Sequence, residues 1–338
     1  MAVTIKDVAQ EAGVSFSTVS KVVNGSPEIS EKTVAKVKEV MKRLDFIPNV
    51  RASSFKRRST RSVAFLAGLR KGEAFANPHM FEILSGAHHG LARKGYSVTL
   101  IDVSEDEQPG DAAKAAISAG AYDGIIVHGS ALNRGTAEIL TRAQFPYIVI
   151  GKPRFENQLS WLDTNNVLAG DIAARCLANY GAKEIAFICG SREQHISIDR
   201  LEGVRSAANE LGVPLLARNI LYTDSSVEQG YSTTVDLLKR DNRPDGIVCA
   251  NSVIAIGALK AVHESGCILP TDLQMITFDD QPYSQLLDPA LTVVNIDTYD
   301  LGEQVASQLL KKIRNPALHV QSYITLPQLI ARGTTKMV

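Results

Sequence analysis

An all-α helix-turn-helix head followed by an α/β body of two doubly wound parallel-sheet lobes is the fold class this sequence predicts. Three observations predict it. Residues Thr4 to Gly25 hold two short apolar helical stripes joined across a glycine. Basic charge gathers in the first 61 residues. From Ser62 onward, short apolar runs alternate with helix-like stretches, the pattern of parallel strands linked by crossover helices.

In the head, Ile5, Val8, Ala9 and Ala12 fall on one helical face, and Thr4 with Asp7 makes a capping-box pattern that starts the helix. Gly13 supplies the turn. Ser15 is placed to cap a second helix, in which Val19, Val22 and Val23 face inward. Phe16, Ser17, Ser20, Lys21 and Asn24 share its outer face, and Gly25 ends it. Those outward side chains can donate to, accept from or press on base edges in a major groove. A third helix is predicted from Ser30, with Val34, Val37, Met41 and Leu44 as its buried stripe.

The chain carries 36 Lys or Arg and 36 Asp or Glu, but unevenly. Residues 1 to 61 hold 12 basic and 6 acidic side chains, net +6, which leaves the rest at net −6. A basic head on an acidic body implies a polyanionic partner for the head alone. The join reads Ile47-Pro48-Asn49-Val50-Arg51-Ala52-Ser53-Ser54-Phe55, followed by Lys56, Arg57, Arg58 and Arg61. Pro48 stops the preceding helix and Asn49 can cap a short new one, too short to be stable alone in water. Phe55 is apolar within a polar, basic linker and suits a wedge between base steps of a minor groove.

The string DVAQEAGVSFSTVSKVVNG, with this linker, resembles the LacI/GalR family of bacterial transcription regulators along essentially the whole chain. The resemblance implies that Phe16, Ser17 and Lys21 read bases and that Asn24 lies near the DNA backbone. Thr4, Ser15, Thr18 and Ser20 complete the implied head contacts, and Asn49, Ala52, Ser53 and Phe55 the linker contacts. Two departures stand out. Lys21 occupies a position usually held by Arg, and an ammonium makes a bidentate guanine contact less readily than a guanidinium. Ser53 replaces the usual Arg of the hinge, and Phe55 its intercalating Leu.

The implied domains are a headpiece over 1–46, a hinge over 47–60 and a body over 61–338. The body is expected to split into lobe 1, about 61–161 and 293–324, and lobe 2, about 162–292 and 325–338. Its fold would resemble that of periplasmic sugar-binding proteins. A chain of 338 residues with 45% hydrophobic content supports a sizeable core. No apolar run reaches the 18 or more residues of a membrane span, and the N-terminus is a polar helix instead of a signal sequence, so the expected location is the cytoplasm without membrane contact. Cys176, Cys189, Cys249 and Cys267 show no paired C-x-x-C spacing and read as reduced structural thiols. No metal or cofactor is expected.

Strands are predicted at Val63 to Ala67, Val98 to Ile101, Ile125 to Val127, Tyr147 to Ile150, Ile185 to Ile188, Ile247 to Cys249 and Met275 to Phe278, with a return near Thr292 to Ile296. Helices between them are expected to start and stop at glycines, as in Gly86 to Gly95 and Gly170 to Gly181. Phosphate-binding loops, the nucleophile elbow and the HExxH zinc motif are absent from the sequence. Asp279-Asp280 is no acid/base pair, because neighbours on an extended segment point in opposite directions. The sequence therefore points away from an enzyme.

Strand ends in parallel sheets are where ligands are held, and polar residues recur there. Asn251 follows one strand, Asp279 another, Asp102 a third and His128 a fourth, while Arg200 lies ten residues beyond Gly190. An amide, carboxylates and a guanidinium suit vicinal hydroxyls. The family resemblance assigns effector contact to Arg200 in IDRLEG, Asn251 in CANS and Asp279 in TFDD, and loop closure to Asn77 and Pro78. It departs at Ser252, usually Asp, at Ser225, where an aromatic platform is frequent, and at Gly151-Lys152, where some members carry an acid. Lys152 favours a phosphorylated or acidic sugar. The resemblance implies a homodimeric repressor on a palindromic operator, with a sugar-like effector in the cleft between lobes; the alternative is control by a protein co-regulator or a non-sugar ligand. The absence of an apolar heptad tail after Arg332-Gly333-Thr334 argues against a tetramer.

Overall fold

A computed structural model describes residues 4–23, 26, 28–44, 46, 59–69, 78–104, 108–155, 158–192 and 194–336. Asn24, Gly25, Asn49, Ala52, Ser53, Phe55 and Asn77 of the expectations above, and the short linker helix, lie outside them. Three helices form the head: α1 Ile5–Ala12, α2 Phe16–Val23 and α3 Glu31–Arg43. Thr4 and Asp7 close the capping box on α1, and Gly13 ends it in the left-handed region at φ 62°. Ser30 caps α3 through the Thr33 amide. Val8, Ala9, Ala12, Val19, Val22, Val37, Val40 and Phe46 pack together as the head's own core.

The body runs β1 Ser62–Ala67, α4 Pro78–Ala92, β2 Ser97–Asp102, α5 Asp111–Ala119, β3 Gly124–His128, α6 Arg134–Ala143, β4 Tyr147–Ile150 and β5 Trp161–Thr164. It continues with α7 Asn166–Asn179, β6 Ile185–Cys189, α8 His195–Leu211, β7 Ile220–Tyr222, α9 Val227–Leu238, β8 Gly246–Cys249, α10 Ser252–Ser265 and β9 Gln274–Phe278. Then come β10 Thr292–Asn295, α11 Thr298–Arg314, β11 Gln321–Thr325 and β12 Gln328–Ile330.

These strands make two six-stranded sheets, ordered β11-β5-β4-β3-β1-β2 and β12-β10-β9-β8-β6-β7. The second repeats the first strand for strand. β1 pairs in parallel with both β2 and β3, as β6 does with β7 and β8, so the strand order reverses at β1/β3 and at β6/β8. β12 pairs antiparallel with β10. The inner strands β6, β8 and β9 are buried along their whole length, which is why they read as continuous apolar runs. β5, β7, β11 and β12 were not expected from the sequence; three of them lie at sheet edges and carry exposed or polar positions.

Two compact units result. One contains Met80–Asp163 and Leu301–Ser322, the other Thr164–Asp300 and the residues from Tyr323 onward, together with His79. The chain passes back to the first unit after Asp300, later than the expected 293, because β10 hydrogen-bonds to β9 and so belongs to the second sheet.

Gly86 and Gly170 do not start helices, contrary to expectation: α4 begins at Pro78, and Asn165 caps α7 by accepting from the Leu168 amide. Gly170 instead marks a close helix crossing. A Cβ there would stand 2.0 Å from the Arg200 carbonyl oxygen, and one at Gly203 would stand 1.9 Å from that of Val167. α7 and α8 therefore meet backbone to backbone, and this approach fixes where Arg200, on α8, emerges.

Candidate functional site

The outer face of α2 is the candidate nucleic-acid surface. Ser15 Oγ accepts from the Thr18 amide at 3.1 Å and lies 2.8 Å from both the Ser17 and Thr18 hydroxyls, which orders the helix start. Phe16 is 52% exposed, Ser17 and Lys21 are exposed, and Thr18 and Ser20 are half-buried beside Val19. Lys21 Nζ is held 2.6 Å from Glu28 Oε2, and its charge lowers the Glu28 pKa. On the neighbouring helix, Thr4 donates from both its amide and its hydroxyl to Asp7 Oδ2 at 2.7 Å, so its side chain is committed to the cap.

In the second sheet, Arg200 and Asp279 come together past the ends of β8 and β9. Arg200 is 2% exposed. Its Nη1 donates to the Ala250 carbonyl just past β8 at 2.7 Å, its Nε to Asn166 Oδ1 at 3.1 Å, and its Nη2 to Asp279 Oδ1 at 3.4 Å. The guanidinium carbon also lies 4.2 Å from the centre of the Phe278 ring. A charge this deeply buried survives only with partners, and every nitrogen of the fork has one here. Asp279 sits at φ 66°, in the left-handed region, which turns its carboxylate back toward Arg200. Asp280 points elsewhere, to a bidentate pair with Arg332 at 2.7 Å on each oxygen. The two carboxylates thus take different partners, although Asp279 leaves the extended conformation that the sequence suggested.

Asn251 Oδ1 accepts from the Ile254 amide at 2.9 Å and caps α10. Ser252 is buried and accepts from the Tyr283 hydroxyl at 3.0 Å. Ser225 Oγ donates to Gln194 Oε1 at 3.0 Å. His79, at the start of α4, lies near enough to Asp279 and Arg200 to feel both charges. Burial pushes its pKa down, the Asp279 carboxylate works against that, and the Arg200 guanidinium adds to it.

At the strand ends of the first sheet, Asp102 is exposed and His128 half-buried. Asp102 Oδ1 accepts from the Leu69 and Ser104 amides at 2.9 Å and from the Ser104 hydroxyl at 2.5 Å, which holds its pKa below the ordinary value. His128 Nδ1 lies 2.8 Å from Ser130 Oγ, which accepts from the Gly68 amide at 3.0 Å. The Lys152 amide donates to Asp163 Oδ2 at 2.8 Å. Pro78 opens α4.

Asn166, Phe278, Gln194 and His79 belong to these surroundings without having been expected. His79 directly follows Asn77-Pro78, a signal that could have found it; Asn166 follows β5, a strand with no apolar run to reveal it. Cys176, Cys189 and Cys249 are buried free thiols, the first two with pKa raised by burial to about 11 and about 12, unsuited to nucleophilic work. Among the described residues no cluster of three His, Cys, Asp or Glu is placed to hold a metal ion, and no helix is long and apolar enough to cross a membrane.

Comparison with known proteins agrees with this geometry. Residues 4–49 match the model of bacterial regulatory proteins, lacI family, and residues 174–335 that of a periplasmic binding protein-like domain. The chain is 29% identical to the ribose operon repressor of Escherichia coli (strain K12) over 98% of this chain and 99% of that protein. It is 28% identical to the HTH-type transcriptional repressor PurR of Haemophilus influenzae (strain PittEE), over 99% of each. Among solved structures, the transcriptional regulator CelR–cellobiose complex superposes with TM-score 0.73 at 27% identity, over 98% of this chain and 99% of that one. The chain thus carries a lacI-family helix-turn-helix domain and a periplasmic binding protein-like domain, the two parts of a DNA-binding transcriptional regulator.

Proposed function

We propose that this regulator is a repressor that binds a roughly palindromic operator as a homodimer in the cytoplasm and is controlled by a small polyhydroxylated effector of the sugar class. The head is taken as 1–46 and the linker as 47–60, with Phe16, Ser17, Ser20 and Lys21 reading bases. Thr4, Ser15, Thr18 and Asn24 position the head on phosphates, and Asn49, Ala52, Ser53 and Phe55 engage the minor groove. Arg200, Asn251 and Asp279 hold the effector, with Asn77, Pro78, Asp102 and His128 as the other candidate contacts.

The buried Arg200–Asp279 pair at the strand ends carries the effector reading. A guanidinium and a carboxylate fixed side by side present a donor fork and an acceptor pair to adjacent hydroxyls without further ordering, the condition for tight recognition of a small ligand. Ribose in the name of one relative and cellobiose in the complex of another support the same class.

A thermal-shift screen of sugars, sugar phosphates, sugar acids and nucleobases tests it, followed by DNA binding with any hit. Stabilisation by a sugar that also changes DNA affinity is the expected result. Stabilisation by a nucleobase alone would replace the sugar class by the nucleobase class.

A further inference from the structure

At the end of the first sheet opposite its ligand-facing strand ends, one carboxylate gathers an unusual number of donors. Asp123 immediately precedes β3. Its Oδ1 accepts from the Thr60 amide at 2.9 Å and the Thr60 hydroxyl at 2.9 Å, and its Oδ2 from the Arg61 amide at 3.1 Å and the Ser59 hydroxyl. Ser59, Thr60 and Arg61 are the last residues before β1, where the chain arriving from the head and linker enters the body. Ser62 returns the contact, its carbonyl accepting from the Asp123 amide at 2.8 Å.

Arg61 fastens the same point from the other side. Its backbone adopts φ 54°, a costly conformation for a residue with a side chain, which persists only where surroundings impose it. Those surroundings are visible. Arg61 Nη1 donates to the Lys94 carbonyl at 3.0 Å, its guanidinium lies 5.4 Å from the Tyr96 ring centre, and its own carbonyl accepts from the Ser97 amide at 2.8 Å. The entry point is therefore clamped between β3 on one side and the turn before β2 on the other. Burial alone would raise the Asp123 pKa, but the bonds from Ser59, Thr60 and Arg61 outweigh it, so the carboxylate stays charged at neutral pH.

We propose that Asp123 is a positioning residue for DNA binding: by pinning Ser59–Arg61 it sets the place and direction from which the linker and head leave the body. This rests on the regulator reading above. A tether's effectiveness depends on where it starts and how far it can wander, so releasing three residues both lengthens it and frees its direction. Asp123 touches no DNA in this account; it acts through the segment it holds.

The test uses the full chain. Duplexes are selected from a random pool by the wild-type protein, and the selected duplex and an unrelated duplex are then bound to wild type and to Asp123→Asn, whose amide cannot accept all four donors. The expected result is a loss of roughly three- to tenfold on the selected duplex, little change on the unrelated one, and faster tryptic cleavage after Arg61. A separate double variant, Ser59→Ala with Thr60→Ala, removes two donors without touching the body's sheet and is expected to move the same readouts, which covers the case in which Asp123→Asn fails to fold. Unchanged affinity in the variants with only a lower melting temperature would overturn the proposal, since Asp123 would then merely stabilise the body. If wild type selects no sequence, the regulator reading fails and takes this proposal with it; if it selects one and the variants match it, the proposal alone fails.

Discussion

Arg200, proposed for the effector, and Phe16, proposed for DNA, sit in opposite kinds of surroundings. Arg200 is buried with every nitrogen of its guanidinium paired, on a helix whose position is set by backbone contact through Gly170 and Gly203. Phe16 is 52% exposed on a helix held by the small apolar set behind it, and its neighbour Lys21 pairs with the exposed Glu28. The residues proposed to meet a small ligand are thus part of what folds the body, whereas those proposed to meet DNA are left outside what folds the head. The difference teaches that damage at the first kind of site confounds stability with recognition, and at the second separates them.

The largest test of this contrast is Arg200→Met. It strands a buried carboxylate and leaves Asn166 and the Ala250 carbonyl without their donor, so a loss of about 3–5 kcal/mol in denaturant unfolding is expected. Asp102→Asn at the exposed strand end of the first sheet should cost less than about 1 kcal/mol. Equal costs would mean that the second site is no more embedded than the first.

Gly203→Ala comes next. Its Cβ would run into the Val167 carbonyl and the Asp171 amide, so α7 and α8 must part, at a cost of about 1–3 kcal/mol. Gly13→Ala in the head meets nothing closer than Lys36 Nζ at 3.7 Å and pays only for its left-handed backbone, about 1 kcal/mol. Paired melting curves of the two variants would show whether close packing in the body outranks backbone conformation in the head.

His79 gives a smaller, pH-dependent effect. Because its folded pKa lies below the ordinary 6.5, the unfolded chain takes up a proton that the folded one refuses as pH falls through 6.5. The body should lose stability between pH 7.5 and 5.5, and His79→Phe should reduce that loss. An identical pH slope in the variant would place His79 outside the charged surroundings of Arg200 and Asp279. The head should show no matching change with this substitution.

Glu28→Gln should have the least effect on folding and still be visible in binding. It frees Lys21 from its exposed partner, so specific DNA binding is expected to tighten by roughly two- to fivefold while the melting temperature stays put. A shifted melting temperature would show that this pair supports the head's fold, against the contrast drawn here.

Much of this organisation is legible in the sequence, for identifiable reasons. Parallel strands buried on both faces, such as β6 and β9, leave uninterrupted apolar runs, and Arg200, Asn251 and Asp279 could be singled out as polar residues near their ends. Edge strands leave no such run: Gln321–Thr325 and Gln328–Ile330 are half exposed and pass for loops. Partnerships are less legible still. Nothing local announces that Asn166 supports Arg200 from 34 residues away, or that Asp123 holds a segment more than 60 residues before it. Those contacts exist only because distant strands lie side by side. Glycines mislead in the other direction, since Gly86 and Gly170 read as helix ends yet occupy helix interiors.

The closing strands carry a consequence for biosynthesis. β11 completes the first sheet from residues 321–325, and β12 the second from 328–330, with the Met275 amide donating to the Thr334 carbonyl at 2.8 Å and the Thr334 hydroxyl donating to the Met275 carbonyl at 2.7 Å. A ribosome adding about 5–20 residues per second emits the head first, leaves the first sheet one strand short for roughly 10–30 seconds, and the second for a few seconds. During that interval the nascent body exposes unpaired edges to chaperones and to neighbouring chains on the same polysome. A premature stop codon anywhere before residue 321 leaves neither sheet whole, so truncated products would be fit for proteolysis and not for partial activity.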